Sequence, residues 1–127
     1  MKLGYVIIYV KDVAETVAFY EQAFGLTCRF KHDSGSYSEM ETGATALAFA
    51  HEDTTPSSNT FNLNRVSTKA AGIEIALCTD SVETAFAKAL EAGAGKIVAP
   101  ILKPWGQTVA YVTDNNGCLV ELCTPMG

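Results

Sequence analysis

The chain has 127 residues, of which 48% are apolar and 18% charged, and its formal net charge is −5. This length suffices for one domain with its own core and is too short for two independent domains, and the composition is typical of a soluble globular protein. Because no basic cluster is present, we expect no nucleic-acid partner. We find neither an apolar run long enough to span a bilayer nor a charged-then-apolar leader, so we expect a cytoplasmic protein that does not bind membranes.

The first half of the sequence predicts one strand, one helix and three further strands. Leu3–Val10 is rich in Val, Ile and Tyr, as strands are. Asp12 followed three residues later by Glu15 resembles a capping box, and Gly25 ends the predicted helix. The three strands that follow are separated by Ser-Gly and Thr-Gly turn signals and are predicted at Leu26–Phe30, Tyr37–Glu41 and Thr45–Ala50.

The second half predicts the same order of elements. Residues 51–71 are polar and lack periodicity, so we interpret them as a linker between module 1, about residues 1–50, and module 2, about residues 72–127. Module 2 begins with a strand at Gly72–Thr79 and continues with a helix from Asp80 to about Ala92. Its remaining strands are predicted at Lys96–Ala99, Thr108–Thr113 and Leu119–Cys123.

A short internal repeat links the two modules. Residues 12–16, Asp-Val-Ala-Glu-Thr, return as residues 80–84, Asp-Ser-Val-Glu-Thr, and each predicted helix is followed by a glycine, at Gly25 and Gly93. We interpret Asp12 and Asp80 as helix caps rather than catalytic groups. A repeated unit of this kind usually cannot bury its apolar face alone. We therefore predict that the two modules pack together and that a ligand binds in a groove between them.

With this layout the chain resembles the vicinal oxygen chelate superfamily, which includes glyoxalase I, bleomycin resistance proteins and extradiol dioxygenases. The resemblance covers nearly the whole chain, and its most specific segments are Tyr9-Val10-Lys11-Asp12, Phe19-Tyr20-Glu21, Phe24-Gly25-Leu26, Pro104-Trp105-Gly106-Gln107, Asp114-Asn115-Asn116-Gly117 and Val120-Glu121-Leu122. It implies an α+β fold in which two βαβββ modules form a curved mixed sheet around a concave groove. Within the superfamily, the closest likeness is to bleomycin-resistance-like members with an incomplete metal site.

Enzymes of the superfamily place metal ligands on the first and last strands of their modules. The positions carried over to this chain are Tyr5, Leu47 or Ala48, Glu74 and Glu121. A tyrosine phenol, with an intrinsic pKa near ~10, is a poor ligand for a divalent metal at neutral pH, and two carboxylates alone hold such an ion weakly. We therefore expect no cofactor and no metal. A divalent metal held by Glu74 and Glu121 is the alternative.

The same resemblance predicts which residues line the groove, namely Tyr5, Leu47, Phe49, Glu74, Trp105 and Glu121. Glu74 and Glu121 lie within apolar strands, where a carboxylate is costly unless it is paired or faces water. No catalytic residue can be named from the sequence. We interpret the four cysteines as structural, and three of them lie in strand-like runs where a thiol behaves as a small buried hydrophobe.

Three functions remain open at this stage. The leading hypothesis is a metal-free binding protein for a small molecule with flat apolar parts and positive charge, held by aromatic side chains and by Glu74 and Glu121. The second is a metal-dependent lyase, isomerase, transferase or dioxygenase of glyoxalase type. The third is a metal-free enzyme with a carboxylate base. In each case we expect a homodimer, because superfamily members pair their modules within one chain or across two.

Overall fold

The computed structural model describes residues 1–126, which form two modules with one element order: strand, helix and three strands. This confirms the predicted α+β fold with two βαβββ modules. The elements are β1 (Tyr5–Val10), α1 (Val13–Phe24), β2 (Cys28–Lys31), β3 (Tyr37–Met40), β4 (Ala46–His51), β5 (Glu74–Cys78), α2 (Val82–Glu91), β6 (Gly95–Leu102), β7 (Thr108–Thr113) and β8 (Leu119–Cys123).

The strands form two four-stranded mixed sheets with the same topology. The first sheet has the order β1-β4-β3-β2 and the second the order β5-β8-β7-β6. In each, the first and last strands of the module pair in parallel and the other neighbours pair antiparallel. The parallel pair at β5 and β8 therefore brings side chains more than 40 residues apart in sequence onto adjacent strands.

The two helices begin at different kinds of residue. Asp12 is the N-cap of α1 and its carboxylate accepts from the Glu15 N–H at 2.9 Å, as predicted. The N-cap of α2 is Ser81, whose side chain accepts from the Thr84 N–H. The predicted cap at Asp80 was therefore wrong by one residue, because Ser81 offers an equivalent oxygen one position closer to the helix.

Each helix packs on one face of its own sheet. Val13, Val17 and Tyr20 are buried on α1, and Val82, Phe86 and Ala89 are buried on α2. In β1 the side chains alternate, with Ile8 and Val10 buried and Tyr5 and Ile7 exposed. We call the face of each sheet that points away from its own helix the helix-free face.

The segment predicted as a linker divides between two compact units, which are Met1–Asn64 and the part of the chain that begins at Arg65. In the first unit Phe61 stacks on Tyr9, with ring centroids 4.3 Å apart, and the Tyr9 hydroxyl lies 2.6 Å from Ser57 Oγ. In the second unit Arg65 passes close to Gly117. Residues 51–71 are thus attached to the two units rather than forming one free connection.

Candidate functional site

The helix-free face of the second sheet gathers three polar side chains. Glu121 on β8 pairs in register with Ala76 on β5 and with Tyr111 on β7. Glu74 lies on the same face two residues before Ala76, and it pairs with Leu119. Because alternate residues of a strand share a face, Glu74, Glu121 and Tyr111 form one cluster. We call it the acidic cluster.

Burial and the neighbouring Glu121 shift the pKa values of Glu74 and Tyr111. Partial burial raises the pKa of Glu74, and the negative charge and hydrogen bonding of Glu121 raise that pKa further. Burial also raises the pKa of Tyr111, again with hydrogen bonding to Glu121 and its charge as further causes. Glu121 is therefore the central member, since it acts on both of the other groups.

An apolar cavity lies at Leu119, one strand away from Glu74 of the acidic cluster. Leu119, the register partner of Glu74, lines a cavity of about 420 Å³ together with Thr113 and the segment that follows Arg65. Its lining side chains are mainly apolar, and Lys69 is the one charged residue among them. The full lining is Val66, Thr68, Lys69, Ala70, Ile97, Thr113, Gly117 and Leu119. This volume lies within the usual range for a small-molecule site.

Two cysteines lie on the same face. Cys78 on β5 pairs in register with Cys123 on β8, and their sulfur atoms are 4.0 Å apart. Cys78 is exposed and Cys123 is buried. The interpretation of strand cysteines as small buried hydrophobes therefore holds for Cys123 and was wrong for Cys78, because Cys78 faces outward on its strand.

The helix-free face of the first sheet carries a different polar group. Glu39 on β3 accepts from the Tyr37 hydroxyl at 2.8 Å and from Arg29 Nη2 at 3.0 Å. These two hydrogen bonds, with that from Tyr37 the larger cause, lower the pKa of Glu39. Burial and the bond to Glu39 raise the pKa of Tyr37 to about 12. The sequence analysis did not identify this group, because the buried side of β3 includes the polar Ser38 and the segment therefore shows no polar–apolar alternation.

Tyr5 lies on this same face of the first sheet, and it is 54% exposed. By register it corresponds to Glu74 of the second sheet, because Tyr5 pairs with the first residue of β4 and Glu74 with the first residue of β8. The residue of β4 that corresponds to Glu121 is then Ala48. Of the alternatives Leu47 and Ala48, the structure selects Ala48.

Leu47 and Phe49 do not lie on the helix-free face. Both are buried on β4, and the Phe49 ring packs against Tyr20 of α1 with centroids 4.8 Å apart. The prediction that they line the groove is corrected on this point. The reason is strand parity, since the helix-free side of β4 carries the small residues Ala46, Ala48 and Ala50 instead.

Trp105 lies in the turn between β6 and β7 and is 62% exposed. Its Nε1 donates to Gln107 Oε1 at 2.9 Å, and Lys103 Nζ lies 5.7 Å from the ring centroid. The ring lines a smaller cavity of about 180 Å³ with Gly106, Gln107, Pro125 and Met126. Trp105 thus lines a cavity, but a different one from the cavity at Leu119.

The donor set does not match a metal centre. Among residues 1–126, no three or more His, Cys, Asp or Glu side chains are arranged to hold a metal ion. The helix-free face of the second sheet offers Glu74 and Glu121, and the corresponding positions of the first sheet hold Tyr5 and Ala48. Zinc normally requires imidazole or thiolate ligands in addition to carboxylates.

Within residues 1–126, no helix is both long and apolar enough to cross a membrane.

Comparisons with known proteins agree with this fold. The family model described as Glyoxalase/Bleomycin resistance protein/Dioxygenase superfamily matches residues 2–122. No curated protein matches the chain.

Solved structures with low sequence identity share the architecture. A glyoxalase/bleomycin resistance protein/dioxygenase family enzyme from Burkholderia phytofirmans PsJN superposes with a TM-score of 0.83 at 21% identity, covering 98% of each chain. A glyoxalase-related enzyme from Fulvimarina pelagi gives 0.80 at 15% identity, covering 98% of this chain and 88% of its own. TioX from Micromonospora sp. ML1 gives 0.73 at 19% identity over 98% of each chain. At these identities the likeness carries the fold alone.

Proposed function

The chain belongs to the glyoxalase/bleomycin resistance protein/dioxygenase superfamily, and we propose that it binds a small molecule on the helix-free face of its second sheet without metal-dependent catalysis. The observation that carries this proposal is that an apolar cavity lined by Leu119 lies one strand away from Glu74 of the acidic cluster. The cavity supplies apolar area, which drives binding, and the cluster supplies a few polar groups, which orient a ligand.

The charges favour a ligand with a flat apolar part and a positive charge. Glu74 and Glu121 place two carboxylates on this face, whereas Lys69 supplies one positive charge at the cavity. Tyr111 adds an aromatic ring beside Glu121, and a cation over such a ring is further stabilised. An anionic ligand would have to approach the two carboxylates, which disfavours it.

A ligand screen tests this proposal. We would screen aromatic amines and matched neutral aromatics by thermal shift and measure the affinity of the best amine by calorimetry. Glu121→Gln is expected to weaken amine binding by about tenfold, since one charge-assisted contact is lost. Glu91→Gln is the matched control, because Glu91 is exposed on α2. Equal weakening in both variants, or a consistent preference for the neutral series, would contradict the proposal.

A second candidate function follows from the titration of Glu74. A carboxylate whose pKa is raised by its surroundings is better suited to accept a proton near neutral pH. Glu74 would then act as a general base on a bound ligand, still without a metal. Turnover of an identified ligand that is lost in Glu74→Gln while ligand binding remains would favour this reading over simple binding.

Metal analysis separates both candidates from a metal enzyme. We expect protein purified without chelator and without added ions to contain less than one divalent ion per chain, because the residues present offer too few strong donors. Stoichiometric metal that is lost in Glu74→Gln or Glu121→Gln would refute the metal-free proposal. It would support the glyoxalase-type alternative instead.

A further inference from the structure

The paired thiols of Cys78 and Cys123 have no part in the function proposed above, and their geometry has a chemical consequence. The two residues are register partners on adjacent parallel strands, and their sulfur atoms lie 4.0 Å apart. Adjacent strands are separated by about 4.8 Å, which falls inside the Cα–Cα range that a disulfide spans. Closing the bond thus requires side-chain movement of about 2 Å and no rearrangement of the strands.

We propose that Cys78 and Cys123 form a reversible thiol–disulfide modification site that reacts with small disulfides such as oxidised glutathione. Cys78 is the point of entry because it is exposed, whereas Cys123 is buried. Burial also raises the pKa of Cys123 to about 12, with hydrogen bonding to Glu121 as a further cause. Since the thiolate is the attacking species, the first attack falls to Cys78.

The reaction proceeds in two exchanges. The Cys78 thiolate attacks one sulfur of oxidised glutathione, forms a mixed disulfide and releases one glutathione thiolate. The Cys123 thiol then loses its proton to water, and its sulfur attacks Cys78 Sγ. This forms the Cys78–Cys123 bond and releases the second glutathione thiolate. The protein pair loses two electrons, the glutathione disulfide gains them, and the two cysteine protons end on the two glutathione thiols.

The other two cysteines provide internal controls. Cys28 lies on β2 of the first sheet and Cys118 lies immediately before β8, and both are partly buried. Burial and the nearby Asp114 carboxylate raise the pKa of Cys118 to about 12, which makes it a poor initial nucleophile. We therefore expect oxidised glutathione to oxidise Cys78 and Cys123 and to leave Cys28 and Cys118 as thiols.

The test is an incubation of the reduced full-length protein with oxidised glutathione, followed by intact mass, thiol titration and peptide mapping. We expect the four titratable thiols to fall to two, the mass to fall by two hydrogens, and one peptide to link Cys78 with Cys123. Cys28→Ser should still lose the two hydrogens. Cys123→Ser should instead stop at glutathionylated Cys78, and Cys78→Ser should form no internal disulfide.

Dithiothreitol should restore all four thiols. The proposal is overturned if the wild-type protein keeps a stable mixed disulfide at Cys78, if the internal bond involves Cys28 or Cys118, or if all four thiols persist. A disulfide between two chains would overturn it as well. The fold of each variant is checked by circular dichroism before its disulfides are mapped by mass. A Cys→Ser variant that fails to fold is replaced by Cys→Ala at the same position.

Discussion

Phe49 on β4 packs against Tyr20 on α1, with their ring centroids 4.8 Å apart and both side chains fully buried. This contact joins the first sheet to its helix. It also removes Phe49 from the face on which a ligand is expected, so a substitution there tests the core rather than the site.

We predict that Phe49→Ala destabilises the protein by about 3–5 kcal/mol, because it removes buried apolar area and leaves a cavity. Phe30→Ala is the control, since Phe30 is 46% exposed on β2, and it should cost less than about 1 kcal/mol. Urea unfolding measures both values. A small loss of unfolding free energy in Phe49→Ala, together with weaker ligand binding, would show instead that Phe49 lies on the binding face.

Gly117 allows a close approach that no other residue would permit. Its φ is 84°, and a Cβ built on it would clash with the carbonyl oxygen of Arg65. Gly43 has a similar φ of 98° but nothing within 4 Å of its Cβ position. Both Gly→Ala variants bear the strain of a positive φ, about 1–3 kcal/mol.

We therefore expect Gly117→Ala to be the more destabilising of the two, because the segment at Arg65 must also move. Thermal unfolding of the two variants side by side gives the comparison. Since Val66 and Lys69 in that segment line the cavity at Leu119, Gly117→Ala should weaken ligand binding as well. Equal melting temperatures for the two variants would show that the close approach has no energetic weight.

After burial, Glu121 is the next cause of the raised pKa values of Glu74 and Tyr111. We predict that Glu121→Gln lowers the pKa of both Glu74 and Tyr111, because it removes the negative charge that raises them. NMR titration of the Glu74 carboxyl and of the Tyr111 ring measures the two shifts. Unchanged pKa values in Glu121→Gln would mean that burial alone sets them.

The same substitution changes how stability depends on pH. Since the folded-state pKa of Glu74 is raised above the unfolded value, its contribution to stability is complete below the unfolded pKa and is lost as pH rises through the folded pKa. Glu121→Gln brings the folded-state pKa of Glu74 closer to its unfolded value, so less stability is lost as the pH rises. The variant should therefore be at least as stable as the wild type at neutral pH. Glu91→Gln, on α2, should show no such change.

After burial, Glu39 is the next cause of the raised pKa of Tyr37 in the first sheet. We expect Glu39→Gln to lower the pKa of Tyr37 from about 12, since the neutral amide no longer opposes the phenolate charge. Ultraviolet absorbance detects the phenolate, and Tyr37→Phe identifies this residue among the five tyrosines.

The folded-state pKa of Glu39 is lowered below its unfolded value. The contribution of Glu39 to stability is therefore present above the unfolded-state pKa and is lost as the pH falls through the folded-state pKa.

A homodimer remains our prediction for the oligomeric state. β2 and β6 are edge strands of their sheets, and β6 exposes the large apolar side chains of Ile97, Ile101 and Leu102. Edges and apolar side chains of this kind are usually covered. Sedimentation velocity at micromolar concentration should give twice the chain mass, and Leu102→Glu should shift it toward the monomer. A wild-type monomer at that concentration would contradict the prediction.

The sequence by itself determined the order of the elements and the family of the fold. Helix starts and ends depend on neighbouring residues, so Asp12 and Gly25 mark the limits of α1 without any knowledge of the rest of the chain. Strand positions follow from local composition in the same way, although β6 runs from Gly95 to Leu102 and is longer than predicted, because it continues through Pro100. Glu74 and Glu121 were named through the family resemblance, and their place within apolar strands indicates that each is paired or faces water.

Only the tertiary structure decided which side chains share a face. Residues 46–50, Ala-Leu-Ala-Phe-Ala, are all apolar, so the sequence does not show which of Leu47, Ala48 and Phe49 share a face. The packing of Phe49 against α1 shows it. Cys78 and Cys123 are 45 residues apart, and only the parallel pairing of β5 with β8 makes them neighbours. The physical reason is the same in both cases: register depends on long-range pairing between strands, and a local pattern carries no information about its partner.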